Sequence, residues 1–312
     1  MKSLMISGKK MIVKMKENKK QKSKDKTRKK VIVKSGLFLL PSFLGVMIFF
    51  VLPFCVVFFY SVVDNPIRKE FVFLDNFTRV FENAAFQLAA TNTLKFSAVA
   101  VPLVVVLSLM LSFALERNIP FKSHFRTFLL SPMMVPIASI VLIWQVLFHY
   151  NGVVNEVMLY FDGQKIDWFK SSYAQIVIVF LFVWKNLGYN MILFMAAISN
   201  IPKEIIEVAE LENASPWQIF FYIKTRYLSS TILFVTILSL INSFKVFREI
   251  YLLTGDYPYD TLYMLQHYMN NTFRSLDYQK LSAAAIIMSV VMILLIGILF
   301  LIENYFGKDM EG

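Results

Sequence analysis

Charge is scarce in this 312-residue chain. Asp, Glu, Lys and Arg make up 17% of it, against roughly a quarter in a soluble domain. Cysteine occurs once, at Cys55, which excludes an intramolecular disulfide and a thiolate metal cage. The three histidines, His124, His149 and His267, follow no ligand spacing, so no metal centre is expected. A Walker A sequence is missing as well. Gly8-Lys9-Lys10 and Gly307-Lys308-Asp309 lack the Ser/Thr and the upstream glycine that cradle a nucleotide phosphate. This chain is therefore expected to be no enzyme and to bind no cofactor of its own. The first apolar run, 36–62, has no small-x-small cleavage site after it. It is also longer than the roughly 7–15 residues of a signal-peptide core, and reads as a retained membrane helix.

Apolar residues fill the space that charge leaves. They form 57% of the chain, with 31 Phe and a mean hydropathy of +0.58. Six segments reach the roughly 20 apolar residues that a bilayer crossing needs: 36–62, 93–115, 126–149, 174–200, 229–253 and 280–302. The expected fold is an all-α integral membrane protein with six transmembrane helices over 36–303. Pro41, Pro53, Pro102, Pro132 and Pro136 fall in or beside spans and predict kinks, which membrane helices tolerate.

The net charge of +11 is concentrated at one end. Residues 1–35 carry 14 Lys/Arg against Glu17 and Asp25, leaving the rest of the chain near neutral. No aromatics interleave with these charges, so nucleic acid is not expected as a partner. The segment reads as a disordered tail on the anionic cytoplasmic face of the lipid membrane. Met5, Met11 and Met15 within it offer downstream translation starts. With the N-terminus inside, the inner segments hold 21 Lys/Arg and the outer segments 6. The positive-inside rule then places both termini in the cytoplasm, with 304–312 as a short C-terminal tail.

Polar residues inside spans mark a pathway or a packing contact. Span four carries Trp184, Lys185, Asn186 and Tyr189 near its middle. Lys185 lies about 16 Å from the outer end, a depth at which a charge needs a bundle interior or water. Span five adds Asn242, Ser243, Lys245 and Arg248, and Asn242, Lys245 and Glu249 recur at helical spacing. Straight-helix arithmetic puts Glu249 about 30 Å from the inner end, too far out to pair with Lys185. Water solvating Lys185 is the expectation, or else a shifted span boundary with Lys185 snorkelling outward. Asn242 and Ser243 alone suit interhelical contact and solute contact equally.

The inner segment 201–228 reads as helix–turn–helix. Pro202 is expected in the first turn, capped by Ser199 or Asn200. Glu204, Glu207, Glu210 and Glu212 charge the first helix, while Ile205, Val208, Ala209 and Leu211 give it an apolar side. Asn213 suits the left-handed position that ends it. Ser215, Pro216 and Gln218 then form a capping box for a second helix, whose Trp217, Phe220 and Phe221 are expected to pack inward.

The same residues carry a resemblance. Ile201-Pro202-Lys203-Glu204, Glu207-Val208-Ala209, Ala214-Ser215-Pro216-Trp217 and Phe220-Phe221-Tyr222-Ile223 resemble the EAA loop of ABC-importer permeases. FLDNFTRVF at 73–81, FRTFLLSPMMVPIASIVLIWQVLF at 125–148, the W-x-x-L-G-Y-N pattern at 184–190 and SFKVFREIYLLTGDYP at 243–258 are similar to the sugar-type subfamily related to the maltose-system permease. The likeness runs from about residue 36 to the end. Val208 stands where the family has a second Ala, Asn213 replaces the turn Gly, and Thr225-Arg226 replaces a Leu-Pro pair.

The resemblance implies a type I importer permease in a bacterial plasma membrane. It implies a second homologous permease, two ATPase subunits that bind ATP and Mg, and an extracytoplasmic solute-binding protein. It assigns ATPase coupling to Glu204, Glu207, Val208, Ala209, Glu210, Glu212, Asn213, Ala214 and Pro216. It places a sugar pathway near Asn186, Tyr189, Ser239, Asn242, Ser243 and Val246, with Trp184, Lys185 and Lys245 beside them. Lys185 and Lys245 suggest a substrate with an acidic group. A stand-alone secondary transporter would show an internal repeat and midplane carboxylates, and the sequence offers neither.

Overall fold

The computed structural model describes residues 38–65, 67–116 and 120–307. The predicted basic tail at 1–35 and the last part of the predicted C-terminal tail, 308–312, lie outside the described residues. Among the described residues every regular element is helical, apart from one isolated bridge between Val63 and Phe71. By its contacts the chain forms two units, 1–59 and 60–312.

The helix α1, Phe38–Ser61, lies in the first unit except for its last two residues, and Phe49, Phe50 and Phe58 are among its exposed apolar side chains. A helix apolar on all sides suits lipid. Its stretch Met47–Val51 is π-helical and lies just ahead of Pro53, whose missing N–H removes an ordinary rung of the ladder.

The second unit contains α2 (Asp75–Phe81), α3 (Ala84–Glu116), α4 (Lys122–Met134), α5 (Ile137–Leu147), α6 (Val153–Tyr160) and α7 (Ala174–Ile198). Next follow α8 (Lys203–Leu211) and α9, which starts at Pro216–Gln218 and continues through the π-helical Ile219–Lys224 to Thr225–Tyr227. Then come α10 (Ser229–Phe244), α11 (Phe247–Thr254), α12 (Leu265–Arg274) and α13 (Tyr278–Gly307).

Among the described residues five helical segments are long and apolar enough to cross a membrane, with α10 and α11 acting as one. The sixth predicted span, 126–149, is interrupted: α4 and α5 meet at 99°. Pro136 is the cause. It cannot donate to the helical ladder, and it pushes the preceding residue out of helical geometry. Val135 accordingly adopts φ −81° and ψ 133°. The pair counts as a crossing only when the bent helices are taken together.

The long helix α3 packs against α7, α10 and α12. Phe96, Ala100 and Val104 of α3 share a buried cluster with Ile178, Phe182 and Phe194 of α7, Val235 and Leu240 of α10, and Ile250 of α11. Small and polar residues let the helices approach, as in other membrane bundles. Ser97 and Ser243 hydroxyls lie 2.8 Å apart across α3 and α10. Gly188 of α7 sits so close to α4 that a Cβ there would lie 1.9 Å from the Leu129 carbonyl oxygen.

The outer connections are tied down by buried side-chain amides, each satisfying backbone groups that a loop cannot pair itself. Asn92 donates to the carbonyls of Asp260 and Tyr263 at 2.6 and 3.1 Å. Asn155 donates to Tyr150 and Ile166 carbonyls and accepts from the Ile166 N–H and the Trp168 indole. His267 of α12 is fully buried, and its Nδ1 accepts from the Met264 N–H at 3.2 Å. Burial lowers its pKa to about 4 against the opposing pull of Asp256, so it stays neutral at neutral pH.

Candidate functional site

The antiparallel register of α7 and α10 is written in two side-chain bonds. Asn190 donates to Ser239 Oγ at 2.9 Å, and Asn242 donates to Asn186 Oδ1 at 3.2 Å. Beside these bonds a cavity of about 480 Å³ opens between α4, α7, α10 and α11. Lys185, Asn186, Tyr189, Asn242 and Lys245 line it together with Met133, Phe182, Leu238, Arg248 and Glu249.

Five of the predicted pathway residues thus share one cavity. Four do not line it. Trp184 packs beside Trp144 of α5, with ring centres 6.0 Å apart. Ser239 and Ser243 are buried helix-to-helix contacts, bonded to Asn190 and Ser97. The choice left open in the sequence for Asn242 and Ser243 therefore splits: Asn242 faces the cavity and Ser243 joins helices. Val246 is buried in the apolar core.

The expectation that Lys185 does not pair with Glu249 is corrected. Its Nζ forms an ion pair with Glu249 Oε1. The register set by Asn186 and Asn242 puts Lys185 opposite about residue 243, with Glu249 roughly 9 Å farther outward. A lysine stem and a glutamate reaching toward each other close that gap. The depth arithmetic left out the length of two side chains. It also assumed one straight helix, whereas the chain breaks at Lys245 and Val246 between α10 and α11. Met133 carries no sequence signal for the site, because only the bend at Pro136 and the close approach at Gly188 bring α4 there.

Helices α8 and α9 form the predicted helix–turn–helix. Asn213 has φ 60°. The Ala214 N–H donates to Ala209 O and the Asn213 N–H to Glu210 O, each at 3.0 Å, the two bonds of a Schellman stop. Ser215 Oγ accepts from the Gln218 N–H at 3.3 Å, and Gln218 Oε1 accepts from the Ser215 N–H at 2.7 Å, completing the capping box. The start of α8 differs from expectation. Pro202 occupies the N-cap position, and neither Ser199 nor Asn200 caps it. Ser199 instead bonds back to Ala196 O at 2.8 Å, serving the end of α7.

Glu204, Glu207, Val208, Glu210, Glu212, Asn213 and Pro216 are exposed, and Ala209 and Ala214 are partly so. Leu211 is 83% exposed. Ile206 rather than Ile205 turns inward, against Ile198, Ile201 and Leu228. The aromatic half divides too. Phe220 packs on Phe113 of α3 at 4.9 Å between ring centres, while Trp217 and Phe221 stay exposed and stack on each other. Lys224 pairs with Glu116 of α3 at 2.7 Å. The loop is thereby joined to α3, and a carboxylate-rich surface with apolar Val208 and Leu211 remains open.

Asn213→Val should break this turn, because a β-branched residue in the left-handed region costs roughly 1–2 kcal/mol. Asn213→Gly should preserve it. Limited proteolysis of the 201–228 segment checks both: the Val variant is cut faster and the Gly variant matches the native protein.

Comparison with known proteins places this architecture. Residues 104–312, more than half of the chain, match the family model described as binding-protein-dependent transport system inner membrane component. The lactose transport system permease protein LacF of Rhizobium radiobacter is 29% identical over 75% of this chain and 80% of its own length. The sulfoquinovosyl glycerol transport system permease protein SmoG of Agrobacterium fabrum is 30% identical over 74% of this chain and 76% of its own. The trehalose/maltose transport system permease protein MalF of Thermococcus litoralis is 27% identical over 88% and 94%. Among solved structures, a bacterial ABC transporter involved in import of the acidic polysaccharide alginate shares the fold. Its TM-score is 0.76 at 19% identity, over 91% of this chain and all of the matched one. A multi-pass helical chain with these matches belongs to the family of binding-protein-dependent transport system inner membrane components.

Proposed function

We propose that this chain is one of two permease subunits of a carbohydrate ABC importer in a bacterial plasma membrane. The observation that carries the reading is the cavity lined by Asn186, Tyr189, Asn242 and a Lys–Glu pair inside apolar helices. Amides, a phenol and paired charges present donors and acceptors to sugar hydroxyls, and polar groups at membrane depth mark solute pathways. The transport-system names of its relatives, among them lactose and trehalose/maltose, support the same class. A solute-binding protein delivers the sugar from outside. Two ATPase subunits, holding ATP and Mg, engage Glu204, Glu207, Val208, Ala209, Glu210, Glu212, Asn213, Ala214 and Pro216 from the cytoplasm. Closure of the ATPases moves α8 and α9, and the Lys224–Glu116 and Phe220–Phe113 contacts pass that motion to α3.

A second reading, an acidic sugar or a phosphorylated polyol, is favoured by one feature. The cavity carries Lys185, Lys245 and Arg248 against the single carboxylate Glu249.

Glu207→Lys, a charge reversal on the exposed face of α8, should abolish sugar uptake and reduce co-purification of the ATPase at least tenfold. The bilayer-embedded part should fold as before. Normal uptake by this variant, together with a tagged native chain that recovers no ATPase, would remove the proposal. Ligand binding by the partner solute-binding protein, measured by calorimetry, decides between neutral and acidic sugars.

A further inference from the structure

We propose that a second cavity, between α9, α10 and α13, is a lipid site. It takes the headgroup of one phosphatidylethanolamine at Arg226 and Glu303, and an acyl chain between α10 and α13. The reading is independent of the solute carried. The cavity holds about 810 Å³, within the roughly 300–1,000 Å³ of small-molecule pockets. Its wall joins Arg226 of α9 and Leu233 of α10 to Leu299, Ile302, Glu303 and Tyr305 of α13. Arg226 and Glu303 belong neither to the central cavity nor to the residues assigned to ATPase coupling. Arg226 is also half of the Thr225-Arg226 pair, a departure from the resembled family that the transport reading leaves unused.

The position of these residues along their helices decides the occupant. Two membrane-crossing segments, Ser229–Thr254 and Tyr278–Tyr305, border the cavity. The start of the first lies beside the end of the second, because the Ser230 hydroxyl donates to Glu303 Oε1 at 3.0 Å. Arg226, Glu303 and Tyr305 therefore sit at one membrane boundary, where tyrosine is a favoured residue. Leu233 and Leu299 lie a helical turn deeper, about 6 Å from the levels of Ser229 and Glu303. Thr236 is deeper still on α10, and its hydroxyl turns back onto the Ile232 carbonyl at 2.7 Å. The deep end is thus apolar, and the adjoining flank of α13 exposes Ile298, Leu301 and Ile302. A site polar at the boundary and apolar toward the bilayer centre matches a lipid better than a soluble metabolite.

The charges select the headgroup. The planar guanidinium of Arg226 suits a phosphate. The Glu303 carboxylate repels a headgroup with negative charge alone and attracts an ammonium. Phosphatidylethanolamine carries both groups, and its primary ammonium donates hydrogen bonds that a quaternary choline cannot. The 201–228 segment enters α10 at this boundary, and the Lys/Arg bias assigns that segment to the cytoplasm. The lipid then belongs to the cytoplasmic leaflet.

The test uses the full chain with its co-purifying subunits. The vesicles contain equal parts of dioleoyl phosphatidylethanolamine, phosphatidylglycerol and phosphatidylcholine. Photoreactive benzoylphenylalanine replaces Leu233, and its adducts are identified by mass spectrometry. Phosphatidylethanolamine should be labelled about fivefold over either other lipid, the scale of one charge pair at a boundary. Arg226→Gln should lower that label by a similar factor, and Arg226→Lys should keep most of it. Glu303→Gln should let phosphatidylglycerol rise to the level of phosphatidylethanolamine. Excess soluble glycerophosphoethanolamine should leave the labelling unchanged. Equal labelling of the three lipids by the native residues, labelling that neither Gln variant alters, or displacement by the soluble headgroup would overturn the proposal. An adduct with another protein chain would overturn it too, by making this face a subunit contact.

Discussion

Lys185→Met is expected to destabilise the purified protein by about 3 kcal/mol. Removing one member of a buried ion pair leaves the other charged in a poorly solvated place, at a cost of about 3–5 kcal/mol. The lower end applies here, because the Lys185 side chain is 28% exposed to the cavity while that of Glu249 is 7% exposed. Glu249→Leu should cost a similar amount. The double variant Lys185→Met/Glu249→Leu should recover most of the loss, since two apolar side chains of similar volume replace an ion pair at little net cost. Unfolding of the detergent-purified protein, followed for all four forms, closes the cycle. Additive losses would show that the two residues share no energy. Recovered stability should come without recovered uptake, because the double variant lacks both the carboxylate and the ammonium. Stability and transport therefore separate in this one variant.

Gly188→Ala should be at least as damaging, and for a steric reason. The added Cβ would meet the Leu129 carbonyl oxygen at 1.9 Å and its carbon at 2.5 Å. Both are backbone atoms, so no rotamer change relieves the clash. The α4 helix must move off α7 by more than an ångström. Overpacking of a core costs about 1–3 kcal/mol where side chains can give way, and the expected loss here is about 3 kcal/mol or more. Met133 rides on α4 into the cavity, so the pathway should deform as well. Uptake and the thermal unfolding midpoint should both fall. Gly297→Ala is the control: nothing lies within 4 Å of a Cβ there, and it should behave as the native chain. A Gly188→Ala protein with native stability would mean that α4 and α7 do not approach as described.

These two cases show where sequence reasoning stops. The apolar runs, the Schellman stop at Asn213 and the capping box at Ser215 were legible, because each depends on residues within a few positions of one another. The membrane class followed from composition, because a bilayer demands about 20 apolar residues per crossing whatever the fold. Asn186, Tyr189 and Asn242 were also found as pathway candidates, since polar groups stand out inside an apolar helix. Trp184, Ser239 and Ser243 looked the same in sequence. Their separation from the cavity depends on which neighbour each meets, and a span's own pattern does not record its neighbours.

The sequence by itself determined that this is a helical membrane protein with a helix–turn–helix rich in carboxylates, and that it lacks a Walker A motif. Tertiary structure alone decided that 126–149 bends at Pro136, that Gly188 admits the α4 backbone, and that Lys185 meets Glu249. The physical reason is range. Local propensity and hydrophobic length act along the chain, whereas the cavity is made by register between helices far apart in sequence. There a displacement of a few ångströms, or the reach of one lysine, changes which residues touch.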